Sequence, residues 1–248
     1  MRKWLAGTAF AILALFSGAA IQAADQQWTK TFPLAAGGSF ALVNVNGSAD
    51  VRGWDRDSVE IRAVKSARNL EDLQRVSIEA KAMPGRVEII THYPEEEGVD
   101  VAVEFHVRVP SRVTLERIVT VNGNVDVAGV EGKAVLHTVN GNVNAFNCAG
   151  SFSARTTNGN IREELLGFNA DAALETVNGS VIIALPKTAG AQVEAQSVNG
   201  EVRTELSLSM LSGYVPGKLE GKLGNGGPAL HLHSVNGAIQ IAQLKPTA

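Results

Sequence analysis

Seven Asn-Gly dipeptides that follow a β-branched residue, Val in six of them, punctuate this 248-residue chain: Asn46-Gly47, Asn122-Gly123, Asn140-Gly141, Asn158-Gly159, Asn178-Gly179, Asn199-Gly200 and Asn236-Gly237. From Asn122 onward the copies follow at steps of 18, 18, 20, 21 and 37 residues. Pro216-Gly217 falls 18 residues after Asn199 and 19 before Asn236, so the last step reads as a doubled period. A fixed period near 20 marks a repeat architecture. A repeat scaffold displays a surface more readily than it encloses one catalytic pocket.

Aligned on the Asn, the copies agree well beyond the turn. Four residues earlier stand Leu42, Ile118, Leu136, Ala154, Leu174, Ala195 and Leu232. Two earlier stand Asn44, Thr120, Thr138, Thr156, Thr176, Ser197 and Ser234. Three later stand Ala49, Val125, Val143, Ile161, Val181, Val202 and Ile239. The intervening positions are mostly polar, with His137, Arg155 and Glu175 on one side and Asp50, Asp126, Asn144 and Arg162 on the other. This period-two alternation predicts a strand, an Asn-Gly turn and a second strand in each repeat. Asn and Gly both tolerate positive φ, which suits a tight turn.

Two arrangements fit that unit. Asn-Gly between alternating strands is a strong hairpin signal, which points to a β-meander or sandwich. A β-solenoid instead stacks each coil about 4.8 Å above the last, so every position must match its copy. The persistent Ser/Thr and Val columns favour the solenoid. The fold expectation is therefore an all-β, β-helix-like solenoid of 18–21-residue Asn-Gly repeats with an antiparallel N-terminal section. A stacked Asn column can form a side-chain amide ladder.

Residues 1–23 read as a signal peptide. Arg2 and Lys3 precede a short apolar run, Leu5 to Phe16, and small residues lead to Ala23. The run is too short to span a bilayer, and no later stretch qualifies, so no transmembrane segment is expected after cleavage. Residues 24–113 read as an N-terminal all-β section holding the first repeat, and 114–248 as the solenoid repeats, together one continuous domain. Within the first section, 58–65, 76–81, 86–92 and 101–109 alternate like strands, and 69–75 reads as a helical turn. Pro84-Gly85 marks a hairpin turn. Gly221 to Pro228 reads as a loop, and Lys245-Pro246 ends the last strand.

The chain carries 22 basic and 25 acidic residues and no basic arm, which argues against nucleic acid as a partner. Cys148 is the sole cysteine, so no intramolecular disulfide forms and stability must come from packing.

The copies Thr120-Val-Asn-Gly-Asn-Val, Thr138-Val-Asn-Gly-Asn-Val, Thr176-Val-Asn-Gly-Ser-Val and Ser197-Val-Asn-Gly-Glu-Val resemble the bacterial toastrack family, a domain of unknown function often labelled a candidate adhesin or β-strand repeat protein. Asn44-Val-Asn-Gly-Ser with Val51-Arg-Gly-Trp54, and Val107-Arg-Val-Pro110 before the repeats, look like that family too. The resemblance implies an all-β, exported or envelope-facing, non-catalytic protein. It carries over no catalytic residues.

No enzyme signature stands out: there is no Gly-x-Ser-x-Gly and no His-Glu-x-x-His. A carbohydrate-active enzyme on a β-helix would need converging carboxylates, for which Asp126 with Glu163 or Glu164 are the candidates. His231 and His233 share one strand face, and His137 shares the column of His233, but no Asp or Cys joins them at metal-ligand spacing. Glu95, Glu96, Glu97 and Asp100 read as a solvated acidic loop. No metal and no cofactor is expected. The Ser/Thr column either points outward as a hydroxyl array or inward to satisfy backbone groups. The outward residues Asn124, Asp126, Asn142, Asn144, Asn160 and Arg162 form the candidate contact face. The functional expectation is a non-catalytic exported envelope or adhesin-like module, periplasmic or extracellular, whose partner is an envelope protein or a glycan. The alternatives are the carbohydrate-active enzyme and a periplasmic envelope-stress sensor accessory.

Overall fold

The computed structural model describes residues 24–94, 98–210 and 215–245. The 1–23 leader, Glu95 to Glu97 of the acidic loop and Pro246 lie outside them.

Two mixed sheets make up these residues. The strand before each Asn lies in one sheet and the strand after each Gly in the other. Thus Thr114–Val119, Ala134–His137, Phe152–Asn158 and Ala172–Asn178 belong to the second sheet, while Val125–Ala128, Val143–Ala149, Ile161–Gly167 and Val181–Leu185 belong to the first. The two strands flanking one Asn-Gly do not pair with each other. Each pairs in parallel with its own copy in the next coil, so the chain is a solenoid rather than a string of hairpins.

The register follows the sequence columns residue for residue. Ala49, Val125, Val143, Ile161, Val181, Ile239 and Val202 stand opposite one another in succession across the first sheet. Leu42, Ile118, Leu136, Ala154, Leu174, Leu232 and Ala195 do so across the second. Both columns are buried, Val202 at the end of its row excepted, and they face one another to form the core. A fully buried Val, Leu or Ile contributes about 1.5–3 kcal/mol, so stacking like on like gives each coil its stability.

The Ser/Thr column points inward. Thr120, Thr138, Thr156, Thr176, Ser197 and Ser234 are all buried. Each hydroxyl donates to the turn-glycine carbonyl of a neighbouring coil. Thr120 bonds Gly47 O at 2.8 Å, Thr138 bonds Gly123 O at 2.8 Å and Thr156 bonds Gly141 O at 2.8 Å. Thr176, Ser234 and Ser197 repeat the bond to Gly159, Gly179 and Gly237. Each of these part-buried carbonyls thereby gains a hydroxyl donor, and Gly47 O takes a second bond from Asn44 Nδ2 at 3.2 Å.

The turn glycines have a different reason from the one the sequence suggests. Among them only Gly47 (φ 112) and Gly237 (φ 156) take positive φ, and none of the paired asparagines does. A Cβ at Gly141, Gly159 or Gly179 would instead overlap the carbonyl oxygen of the glycine one coil below. Glycine is needed because the backbones approach too closely for any side chain.

The coils do not stack in chain order. Strand Ala229–Asn236 lies between Ala172–Asn178 and Ala191–Asn199, and Ile239–Gln243 lies between Val181–Leu185 and Val202–Thr204. The last repeat is thus an inner layer. The cause is the segment between Thr204 and Ala229, which forms antiparallel strands Leu208–Met210 and Lys218–Leu223 rather than a coil. Lys218–Leu223 fills the far edge of Ala191–Asn199, which leaves only the near edge for the final copy. Pro216-Gly217 is a reverse turn inside this excursion, just before Lys218–Leu223, with Gly217 at φ 73 and Val215 bridged to Lys218. Gly221 to Leu223 are strand, not loop, because the missing side chain at Gly221 leaves room for Leu208.

The N-terminal section closes the opposite end. Strand Val101–Pro110 lies parallel to Ala49–Trp54 and antiparallel to Ser58–Ala67, which in turn pairs with Ala24–Pro33. Val103 N donates to Asn46 O at 2.7 Å and Phe105 N to Ser48 O at 2.9 Å, so the first coil has no bare edge there. Strand Ser39–Val43 pairs with both Arg86–His92 and Thr114–Val119, so the second sheet runs unbroken past residue 113. Helix Leu70–Arg75 starts on Asn69, whose side chain accepts from Asp72 N at 2.8 Å. Buried Lys65 donates to Leu73 O and Val76 O at 2.9 and 3.0 Å, fixing the end of that helix to the sheet.

Candidate functional site

The turn edge of the solenoid carries an amide ladder. Asn122 Nδ2 donates to Asn46 Oδ1, Asn140 to Asn122, Asn158 to Asn140, Asn178 to Asn158 and Asn236 to Asn178, each at 2.8 Å, and Asn199 to Asn236 at 2.9 Å. All these bonds run in one direction. A second ladder lies beside it: Asn142 N, Asn160 N and Ser180 N donate to the side-chain oxygens of Asn124, Asn142 and Asn160 at 2.8–2.9 Å. The acceptors of Asn124, Asn142 and Asn160 are therefore engaged in holding coil to coil.

Asp126, Asn144 and Arg162 lie elsewhere, on the outer face of the first sheet. Register places them in one row with residues far away in sequence: Arg62, His106, Asp50, Asp126, Asn144 and Arg162 stand on six successive strands. At about 4.8 Å per strand the row spans about 24 Å. Asn144 Nδ2 donates to Asp126 Oδ1 at 2.7 Å. Arg162 pairs with Glu164 at 2.8 Å and lies 5.7 Å from the centre of the Phe146 ring. A parallel row brings Glu60, Arg108 and Arg52 together. Near its end Trp54 donates its indole N–H to Ser58 O at 2.8 Å, with the guanidiniums of Arg56 and Arg108 at 5.0 and 5.9 Å from its ring centre. Contacts of this kind contribute about 0.5–1 kcal/mol at exposed sites.

Two grooves indent this face. One of about 340 Å3 is lined by Asp50, Arg52, Glu60, Arg62, His106, Val107 and Arg108. The other, of about 460 Å3, lies near the C-terminal end between Arg162, Glu164, Glu205, Gln240 and Lys245.

The carboxylates proposed for an enzyme do not converge. Asp126 faces outward, whereas Glu163, one position further along the alternation, points into the core at 2% exposure. Neither carboxylate oxygen of Glu163 has a hydrogen-bond partner, and burial pushes its pKa up to about 8. Glu164 faces outward and is held by Arg162. Cys148 is buried, and burial also pushes its thiol up, so it is not the activated kind. His231 faces Glu194 at 3.2 Å, and His137 sits three strands from His233 along one row, through Arg155 and Glu175. Among the described residues no group of three His, Cys, Asp or Glu is placed to hold a metal ion. No helix among them is long and apolar enough to cross a membrane.

Sequence reasoning missed Arg62, His106, Arg108 and Trp54. The alternation of 101–109 places His106 and Arg108 on one face, yet nothing local says that this strand lies beside Asp50.

These features define an all-β, two-sheet repeat protein that displays a long polar face. The family model described as Toastrack DUF4097 matches residues 59–242, and the chain belongs to that family. No curated protein matches it. Its fold is similar to that of a candidate cell adhesion protein from Clostridium sporogenes, at 13% identity and a TM-score of 0.51, with 88% of this chain and 100% of that one covered. A candidate adhesin from Bacteroides fragilis aligns at 8% identity and a TM-score of 0.45, covering 88% and 97%.

Proposed function

We propose that this chain is a non-catalytic, exported, adhesin-like interaction module of the cell envelope, and that the outer face of its first sheet contacts a glycan or an envelope protein. The observation that carries the reading is the row from Arg62 to Arg162, six adjacent strands each presenting a polar or charged side chain at the same height. A rigid ladder of this kind suits a partner that is itself extended. Membership of the Toastrack family, and a fold shared with a protein described as a candidate cell adhesion protein, agree with it. So does the leader-like segment at 1–23, which would direct the chain to the periplasm or beyond.

The test is binding of the purified chain to a glycan panel and to envelope extracts. Charge reversal at Asp126 and Arg162 should abolish capture while leaving the circular dichroism spectrum unchanged. Capture that survives both reversals would exclude this face.

A further inference from the structure

The 340 Å3 groove on the N-terminal part of the first sheet has a chemistry that narrows its ligand. Three strands build it. Arg62 stands opposite His106 and His106 opposite Asp50, while Glu60 stands opposite Arg108 and Arg108 opposite Arg52. Their backs are the buried residues Ile61, Val107 and Val51, so the scaffold beneath is fixed.

Three guanidiniums and one imidazole face two carboxylates here, in a chain whose net charge is −3. The carboxylates do not consume the cations evenly. Arg52 Nε lies 2.6 Å from Asp50 Oδ1, an ion pair without hydrogen-bond alignment, and His106 faces the other oxygen of Asp50 at 3.8 Å. Glu60 approaches Arg108 only at 3.9 Å. Arg62 lines the groove opposite His106 and has no ion-pair partner among the described residues. Arg108 also reaches the Trp54 ring, which joins an aromatic face to the cationic end.

We infer that this groove binds the uronic acid residue of an acidic polysaccharide. The planar guanidinium fork matches a carboxylate in a bidentate way, and Arg62 and Arg108 supply two such forks. Asp50 and Glu60 accept hydrogen bonds from ring hydroxyls, and their charge opposes a free phosphate or sulfate dianion, which lacks those hydroxyls, more than the single charge of one carboxylate. Trp54 stands outside the lining and holds Arg108 by its ring, which fixes one of the two forks at the groove's edge. A sugar carrying one carboxylate and several hydroxyls satisfies the arginine forks and the two acceptor carboxylates at once. The inference rests on the glycan-binding reading of this face and specifies its ligand.

The experiment is calorimetric titration of the full chain with a galacturonic acid trimer, a galactose trimer and inorganic sulfate. The galacturonate trimer should bind, and the other two should not. Arg62→Gln and Arg108→Gln should each weaken binding about tenfold or more, the effect of losing a charge-assisted contact. Arg155→Gln, on the outer face of the other sheet, should leave it unchanged. All three arginines are exposed, so the variants fold as the parent does. Equal binding of the galactose trimer, binding of sulfate in its place, or failure of the galacturonate trimer to bind overturns the inference. So does galacturonate binding that ignores Arg62→Gln and Arg108→Gln. Glycan capture that is lost on reversal of Asp126 and Arg162 but insensitive to these two variants would keep the wider face reading while removing this groove from it.

Discussion

Replacing Glu163 by Gln should change how the stability of this protein depends on pH. Glu163 occupies a column whose other members include Val51, Val127, Ala145, Ile183 and Ile241, and both its oxygens lack partners. Burial raises its pKa from about 4.5 to about 8. A carboxyl with a higher pKa in the folded state holds more protons when folded, so rising pH favours unfolding. Its cost is nearly absent below pH 4.5, grows by about 1.4 kcal/mol per pH unit between the two pKa values, and levels off above pH 8. By pH 7 it amounts to about 3 kcal/mol, and its ceiling is about 5 kcal/mol. Urea unfolding at intervals from pH 4.5 to 9 measures it. The parent should lose about 3 kcal/mol more than Glu163→Gln between pH 4.5 and pH 7, and the two curves should run parallel above pH 8.5. Parallel curves over the whole range would show that Glu163 is solvated or paired, and the account of its burial would be wrong.

Gly159→Ala should cost about 3 kcal/mol or more in urea unfolding, because its Cβ would overlap the Gly141 carbonyl and force two coils apart. The same change at Gly85, a positive-φ hairpin turn with open space around it, should cost less, about 1 kcal/mol. Thr156→Val keeps the shape but leaves the Gly141 carbonyl without its hydroxyl donor, which should cost about 1–3 kcal/mol in the same assay. Cys148 should resist a thiol reagent in the native state and react fully in denaturant; rapid native labelling would contradict its burial.

Much of the architecture was legible because a solenoid writes its contacts into the sequence. Val125, Val143, Ile161 and Val181 recur at one offset from Asn-Gly, and they touch because each coil contains nearly the same number of residues. The inward side of the Ser/Thr column is visible too, from its shared parity with Leu136 and its copies. What stayed hidden depends on pairings between unlike segments. No period links Arg62 to His106 or His106 to Asp50, so the charged groove existed in the sequence only as scattered residues. The place of the final repeat was hidden as well, since its own pattern fits equally well at any open edge. The glycine rule was half visible. The turn was evident, but the crowding of Gly141 against Gly123 appears only when coils are laid on one another.

That last layer has a consequence for how the molecule is made. A chain delivered from its N-terminus has produced Ala191–Thr204 well before Ala229–Gln243, yet the earlier segment rests on the later one. Assembly in order of synthesis therefore halts after Leu185 until the 58 residues through Gln243 are available (243 − 185). Proteolytic clipping near the C-terminus would extract a course from inside the wall, and the lost course would take the grip on its outer neighbour with it.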